Sequence, residues 1–429
     1  MIYSSQDKLD FPQVDILSLL FDHPECRAKE HTAVHAEAHD PLNVITKSRA
    51  RHLTRCIAHF LRSSYSIGAD EATLTPGACD AITGDVVVGV STGQSALACL
   101  FYGVVAAGAV FSAASPSSTP SDLARQILDV APRKEEAAGR RVVLACSSDR
   151  RELALEAAKI AGLPAHCILV LESYPVISLR SINGDAVCAF DKELDWRRIT
   201  DTRELSRRTV CILYSSGTTG LPKGLLSLHL VMPCTCLLTL PGVLVSHLNL
   251  VFEVHVGGYA NRQQLEILYS QKPIYVPRTL AHLPTAHVAG LLSYFLRSFY
   301  QGVIVYWMPA FNIDALIDNI DALGITSLFT VPPVWAALAK HPRVGDKLAR
   351  IRQATAGAAP MGVDLQRAAS NKIAGDAVIS QLYGLSETTG GITYVPYDMR
   401  EEAVGSVGLL MPNCFMRSVS LCSLLPLFF

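Results

Sequence analysis

The chain has 429 residues and a mass of 46.3 kDa, and its charge is nearly balanced, with 37 Lys and Arg residues against 38 Asp and Glu residues. Domains hold roughly 150 residues, so this length predicts two or three packed subdomains rather than one simple core. The basic residues form no stripe with interleaved aromatic residues, which excludes an evident nucleic-acid interface and favours a small-molecule ligand.

Neither end of the chain predicts a secretion signal or a membrane segment. The opening residues carry Asp7, Lys8 and Asp10 where a signal peptide needs an apolar core. Residues 409–429 are rich in apolar side chains, but prolines interrupt them, and a spanning helix tolerates such breaks poorly. We therefore predict no membrane span and a cytoplasmic or peroxisomal protein, and the sequence leaves the oligomeric state open.

Strand and helix patterns alternate through the first half of the chain. The predicted elements are a strand at 85–91, a helix at 94–107, a strand at 109–113, a helix at 120–128, a strand at 141–146, a helix at 149–161 and a strand at 167–171. Asp149 and Glu152 have the spacing of a capping box for the last of these helices. The alternation predicts an α/β fold with mostly parallel sheets covered by helices on both faces.

A loop dense in hydroxyl groups and glycines follows a short apolar strand at 210–213. It reads YSSGTTGLPKG over 214–224. Glycines let backbone amides approach an anion, the hydroxyls add donors, and Lys223 adds a mobile cation, so the loop is typical of a polyphosphate site. The Walker motif differs, since it has a glycine before the lysine and Ser or Thr after it, whereas Lys223 lies between Pro222 and Gly224.

The pattern resumes after this loop and predicts two further glycine loops. A helix at 313–323 precedes strands at 325–331, 353–356 and 378–382, and the last two strands run into the loops GAAPMG and YGLSETTGG. If the strands that carry the three glycine loops point the same way, the loops meet at one cleft, where α/β proteins bind ligands.

These motifs together resemble the adenylate-forming superfamily, which contains acyl-CoA and aryl-CoA synthetases, peptide-synthetase adenylation domains and beetle luciferases. SSGTTGLPKG resembles its signature, and the blocks GDVVVGVS, TLAHLPTAHVAGL, ITSLFTVPPVW, TAGAAPMG and QLYGLSETTGG follow in the family's order. The resemblance covers about 21–412 and is nearest to the 4-coumarate-CoA ligase-like branch. It implies a large AMP-binding N-terminal domain with two mostly parallel sheets flanked by helices and a smaller β subdomain.

The resemblance also implies a reaction. Such enzymes use ATP and Mg²⁺ to convert a small carboxylic acid (aryl, phenylpropenoic or fatty) into an acyl-adenylate, and then form a thioester with coenzyme A. Attack of the carboxylate on the α-phosphate concentrates negative charge, which fixed donors and a metal stabilise. Luciferase-type oxygenation and peptide-synthetase loading are weaker alternatives.

The site residues that the resemblance implies come from four parts of the chain. Lys223, Glu387 and His287 would be catalytic, with Glu387 as the Mg²⁺ ligand, since Mg²⁺ prefers carboxylate oxygens, and His287 at the edge of the acyl pocket. The implied nucleotide-binding residues are Ser215, Ser216, Gly217, Thr218, Thr219, Gly220, Lys223, Gly357, Ala358, Ala359, Gln381, Tyr383, Gly384 and Ser386. The alternatives are a solvated loop acid for Glu387 and a hydrogen-bonded turn for His287.

The sequence departs from the family at two places. Family members continue past a Pro–Asn segment into a C-terminal lid domain of roughly a hundred residues that carries a catalytic lysine, whereas 413–429 form a divergent apolar tail, so we expect the lid domain to be absent. A segment around 229–246 looks inserted, and either Leu228-His229 or Ser246–Asn249 could take the place of the family's Ser/Thr-His-x-Asn segment. Residues 1–20 are interpreted as an N-terminal extension.

Loss of the lid would remove a cation from the reacting groups and open the site to water. The sequence therefore also supports a second hypothesis, in which the chain is weakly active or is a catalytically silent pseudoenzyme that binds nucleotide or carboxylate.

Overall fold

Short strands run through most of the chain. The computed structural model describes residues 2–5, 7–69, 82, 84–132, 139–214, 242–271, 275–373 and 377–417. In chain order the strands are β1 (Ile2–Ser4), β2 (Ala33–Glu37), β3 (Val44–Thr46), β4 (Val86–Val90), β5 (Val110–Ala114), β6 (Val142–Ser147), β7 (Ile168–Glu172), β8 (Ser178–Ser181), β9 (Thr209–Leu213), β10 (Val243–Ser246), β11 (Arg278–Ala281), β12 (Ile304–Trp307), β13 (Ser327–Thr330), β14 (Gln353–Ala356), β15 (Ser380–Gln381), β16 (Gly384–Leu385), β17 (Gly390–Gly391), β18 (Thr393–Tyr394), β19 (Leu409–Leu410) and β20 (Phe415–Arg417).

Helices connect most of these strands. In chain order they are α1 (Ile16–Phe21), α2 (Lys47–Tyr65), α3 (Leu97–Ala106), α4 (Pro120–Val130), α5 (Arg151–Ala161), α6 (Thr202–Arg207), α7 (His247–His255), α8 (Tyr259–Gln271), α9 (Val288–Gly290), α10 (Ser298–Gln301), α11 (Ile313–Ala322), α12 (Pro332–Lys340) and α13 (Val363–Ser370). A π-helical segment, Leu291–Arg297, joins α9 to α10, and short 3₁₀ turns occupy 148–150, 165–167 and 397–399. None of the helices in the described ranges is long and apolar enough to cross a membrane.

Three sheets form the framework. The largest has the order β10-β9-β5-β4-β6-β7-β8, and its inner strands are parallel while both edge pairs are antiparallel. A four-stranded sheet has the order β11-β12-β2-β3, and a three-stranded, all-parallel sheet has the order β13-β14-β15. Three two-stranded antiparallel ribbons complete the described part. The predicted mostly parallel α/β fold class is confirmed.

The apolar runs of the sequence explain which elements are central. All five residues of β4 (VVVGV) are buried, as expected for a strand that is covered on both faces. All ten residues of α3 (LACLFYGVVA) are buried as well, because this helix packs in the main core against α2 and apolar residues of the two larger sheets. The three-stranded sheet shares a second core with α11 and α12.

Two local predictions are wrong in detail. The carboxylate of Asp149 does not cap α5. It accepts hydrogen bonds from the Ser147 hydroxyl (2.5 Å) and the Thr92 hydroxyl (3.1 Å) at the carboxyl ends of β6 and β4, so α5 begins only at Arg151. The predicted strand at 378–382 is reduced to β15, because β15 pairs only with the last two residues of β14.

The segments predicted as extension and insertion are partly built into the fold. Within 1–20, apolar residues at the start of α1 lie in the main core, and β1 pairs with β20 near the other end of the chain. Within 229–246, the described end forms β10, which pairs with β9. Ser246 and Asn249 form a reciprocal capping box at the start of α7, with N···O distances of 3.1 and 3.3 Å. Leu228 and His229 lie outside the described residues.

The first residue of the β4 segment makes a buried connection that we expect to control stability. The Asp85 carboxylate accepts hydrogen bonds from the backbone amides of Gly68 and Arg141, both at 2.7 Å. Asp85→Ala would leave two amides without this acceptor, so we expect the free energy of unfolding to fall by about 2–3 kcal/mol in urea denaturation. Asp346→Ala, at an exposed position, serves as the control, and equal effects of both changes would contradict the assignment.

Candidate active site

A cleft opens between the three-stranded sheet and the helical segment 288–301. Its space, including the part open to solvent, is about 880 Å³. His287, Ala358 and Gly384 line it together, although they come from three separate sequence blocks. Each follows the carboxyl end of a strand (β11, β14 and β15, respectively), and β14 and β15 are parallel neighbours. Two of the three predicted glycine loops therefore meet at one cleft.

The third loop cannot be placed. Ser215, Ser216, Gly217, Thr218, Thr219, Gly220 and Lys223 lie outside the described residues. The strand that precedes them is described: β9 runs parallel to β5 and ends at Leu213. The loop therefore leaves the sheet at the carboxyl end of β9, as predicted, and the roles of its residues stay predictions.

The loop after β14 adopts a conformation that small residues permit. Ala358 has φ +67°, in the left-handed region that side-chain-bearing residues seldom adopt. A Cβ atom at Gly357 would lie 3.1 Å from side-chain atoms of both Phe329 and Leu382, so a larger residue there would crowd the cleft wall. Ala358 and Ala359 are exposed. Such backbone strain clusters at functional sites, which agrees with the predicted nucleotide contact.

Gln381 is fully engaged inside the protein. Its amide nitrogen donates to the Met361 carbonyl (3.0 Å) and to Gln366 Oε1 (2.8 Å), and its Oε1 accepts from the Met361 amide (3.1 Å). Gln381 thus fastens the loop after β14 to β15. Nucleotide binding by Gln381 stays a prediction, because these bonds already use both ends of its amide.

The block YGLSETTGG forms a tight hairpin made of β16 and β17. A Cβ atom at Gly384 would lie 1.9 Å from the Gly390 carbonyl oxygen, so only glycine fits. Thr388 closes the turn, since its hydroxyl donates to the Gly390 carbonyl (2.7 Å) and accepts from the Leu385 amide (2.9 Å). The hairpin holds a fixed shape at the edge of the cleft and carries the predicted Glu387 at its turn.

Tyr383, Ser386 and Glu387 occupy different environments in this hairpin. The Tyr383 side chain is exposed, as a ring that stacks on a planar ligand needs to be, and Ser386 is buried. Glu387 is half-buried, and no described residue forms a hydrogen bond or an ion pair with its carboxylate. A half-buried carboxylate with free oxygens suits a hard cation, so this residue fits the Mg²⁺ ligand that was predicted.

His287 combines a structural contact with a free ring nitrogen. Its Nδ1 accepts a hydrogen bond from the Ala289 amide at 3.2 Å and caps the turn of α9. Burial lowers the pKa of His287, so the ring is neutral near pH 7 and carries its proton on Nε2. The alternative of a hydrogen-bonded turn therefore accounts for one nitrogen, and Nε2 remains available as a donor.

Sequence reasoning missed an ion pair beside the cleft. Arg297, which lines the cleft, donates from Nη2 to Glu253 Oε2 and from Nε to the Glu253 carbonyl oxygen (3.2 Å). Only 1% of Glu253 is exposed, and burial raises its pKa to about 7 although Arg297 opposes the shift. A lone acid in the apolar helix sequence HLNLVFEVH was the signal, because an unpaired acid is seldom buried.

One cluster with metal-ligand chemistry occurs elsewhere. His52, Cys56 and Glu193 offer ligand atoms within 4.8 Å of one another. His52 Nδ1 already bonds Glu193 Oε1 at 2.7 Å, and Arg55 takes the other carboxylate oxygen at 3.4 Å. The cluster belongs to α2 and the loop before α6, neither of which contributes to the cleft, and an ion pair accounts for its geometry.

The hairpin gives a prediction about stability. Gly384→Ala would place a methyl group against the Gly390 carbonyl, and we expect the free energy of unfolding to fall by about 1–3 kcal/mol in a denaturant titration. Gly362→Ala is the matched control, because a Cβ atom at Gly362 meets open space; its effect should stay within about 1 kcal/mol. A Gly384→Ala variant as stable as the control would show that the hairpin is not rigid.

Comparisons with known proteins agree with this geometry. Residues 79–420 match the family model described as AMP-binding enzyme. The chain is 36% identical to a protein of Emericella nidulans that is named as an acyl-coenzyme A synthetase, over 98% of this chain and 68% of the relative. It is 31% identical to 4-coumarate–CoA ligase 3 of Oryza sativa subsp. japonica, over 71% of this chain and 47% of the relative.

Solved structures show the same fold. ATP-bound MatB from Rhodopseudomonas palustris superposes with a TM-score of 0.63 at 21% identity, over 93% of this chain and 64% of that chain. The N-terminal domain of FACL13 from Mycobacterium tuberculosis gives a TM-score of 0.63 at 18% identity, over 92% and 82%. The chain spans about half to two thirds of the length of the two relatives above. By its matched sequence and its fold, the chain belongs to the AMP-binding, adenylate-forming enzyme family.

Proposed function

We propose that this chain binds ATP and a small carboxylic acid and joins them as an acyl-adenylate, with release of pyrophosphate. In the whole protein the acyl group would then pass to the thiol of coenzyme A. The observation that supports this most is the cleft itself, because His287, Ala358 and Gly384 line one space beside the hairpin that bears Glu387.

The proposed roles follow from position. The acid would lie in the cleft with its carboxylate at the edge formed by His287, Ala358 and Gly384, where the neutral His287 donates from Nε2 to a carboxylate oxygen. Tyr383, exposed at the hairpin, would pack against adenine. Glu387 would hold Mg²⁺, which when bound offsets charge on the phosphates, and Lys223 with the hydroxyl loop would bind the departing pyrophosphate.

The acid is proposed to be aryl, phenylpropenoic or fatty, since the cleft walls are largely apolar while its edge is polar. The alternative of a silent binder of nucleotide or carboxylate differs from this proposal in one measurable respect, because a binder supports no carboxylate-dependent exchange between ATP and pyrophosphate.

The metal ligand can be tested by this exchange. Glu387→Gln keeps the size of the side chain but removes its charge, so we expect the exchange rate to fall by about 10² to 10³-fold. Glu402→Gln, an exposed acid near the end of the described chain, should leave the rate unchanged. Lys223→Ala should lower the rate as Glu387→Gln does. Exchange at the background level in the wild type, together with measurable ATP binding, would instead support the silent binder.

The two nitrogens of His287 can be separated by substitution. Asparagine can accept the Ala289 amide bond through its side-chain oxygen, whereas alanine cannot. We expect His287→Ala to lower the melting temperature and the exchange rate, and His287→Asn to restore the melting temperature while the rate stays about 10²-fold low. If His287→Asn restores both quantities, His287 only caps α9 and does not orient the carboxylate.

A further inference from the structure

The cleft extends from the carboxyl edge of the strands to their amino ends. His287, Ala358 and Gly384 mark the mouth, since each follows the end of a strand. Ser327, the first residue of β13, and Gln301, the last residue of α10, mark the deep end. Three residue steps along β13 span about 10 Å. An extended acid with its carboxylate at the mouth therefore places its far end next to these residues.

The deep end differs in polarity from the walls. Leu292, Phe329 and Leu382 give the walls an apolar surface, as a hydrocarbon or aromatic body requires. Around the deep end the buried polar residues Thr279, Ser298 and Gln301 line the cleft instead. A pocket made for a plain hydrocarbon tail would carry apolar residues at this end, because burial of polar groups without partners costs free energy.

Gln301 is the residue that most needs a ligand. It is 4% exposed, and no described residue accepts a hydrogen bond from its Nε2. A buried amide donor is ordinarily paired with protein or water. Because Gln301 lines the cleft, an acceptor on a bound molecule can supply the missing bond.

Arg297 decides the charge of that acceptor. Its guanidinium also lines the cleft, but Glu253 takes hydrogen bonds from both Nε and Nη2. One oxygen of Glu253, Oε1, is buried and has no hydrogen-bond partner among the described residues. The pair is neutral when Glu253 is ionised, so the deep end lacks a net positive charge for a second carboxylate, and Glu253 would repel one.

We propose that the deep end of the cleft recognises a neutral oxygen, a hydroxyl or carbonyl group, on the tail of the acid, and that Gln301 donates the hydrogen bond. The substrate class is then a carboxylic acid with an apolar body and a neutral oxygen about 10 Å from its carboxylate. Gln301 is the specificity-determining residue. This inference rests on the proposed function, because it places the carboxylate of the acid at the mouth.

Three cinnamic acids of similar length test the inference. They carry a hydroxyl, a methyl or a carboxylate group at the ring position opposite the propenoate, and their dissociation constants for the full chain are measured by titration calorimetry. We expect the hydroxyl acid to bind at least about tenfold more tightly than the methyl acid, because only the hydroxyl satisfies Gln301. The acid with the second carboxylate should bind most weakly.

Gln301→Leu should abolish this preference, so that the methyl acid binds at least as tightly as the hydroxyl acid. Its melting temperature should not fall, since the change removes an amide donor that no described residue satisfies. Gln263→Leu, on α8 and bonded to the Tyr259 hydroxyl at 2.7 Å, is the control and should keep the wild-type preference.

The outcomes separate the inference from the function on which it rests. Equal binding of the hydroxyl and methyl acids to the wild type, with exchange activity intact, would overturn the inference and leave the proposed function standing. A Gln301→Leu variant that keeps the hydroxyl preference would also overturn it. A lack of binding by every acid, together with a lack of exchange, would overturn both.

Discussion

Parallel pairing of β13, β14 and β15 is the constraint on which the cleft depends. Because the three strands point the same way, the chain leaves β14 and β15 at the same edge, and the loops at Ala358 and Gly384 become neighbours. The contact is short, since β15 pairs through two residues, and the bonds of Gln381 to Met361 and Gln366 extend it. A side chain predicted to touch the nucleotide therefore stabilises the loop that lines its site.

Glycine positions set the shape of this edge as much as the strands do. The hairpin of β16 and β17 brings two backbones so close that Gly384 has no room for a side chain. Gly390, in the same hairpin, has φ +147°, and a Cβ atom there would lie 2.7 Å from Glu253 Oε2. The hairpin with the predicted metal ligand thus packs directly on the buried ion pair of α7, and the two features share one small volume.

The sequence predicted the local elements well where burial and period agreed. The run DVVVGVS became β4, and the pattern at 313–323 became α11, because a continuous apolar run and an apolar stripe each have one way to be buried. It failed at Asp149, where spacing indicated a helix cap. The hydroxyls of Thr92 and Ser147 bind that carboxylate instead, and Thr92 is brought close by a neighbouring strand. Spacing along the chain carries no information about such competitors.

The sequence by itself determined the family, the α/β class and three members of the site, because His287, Ala358 and Gly384 stand in motifs whose residue types and order are readable along the chain. Only the tertiary structure decided that these residues share one cleft, that Gln381 is engaged internally, and that Glu253, Arg297 and Gln301 lie at or beside that cleft. The reason is physical. A motif records local chemistry, whereas the pairing of a buried acid or the isolation of a buried amide depends on residues far away in the chain, which only packing brings together.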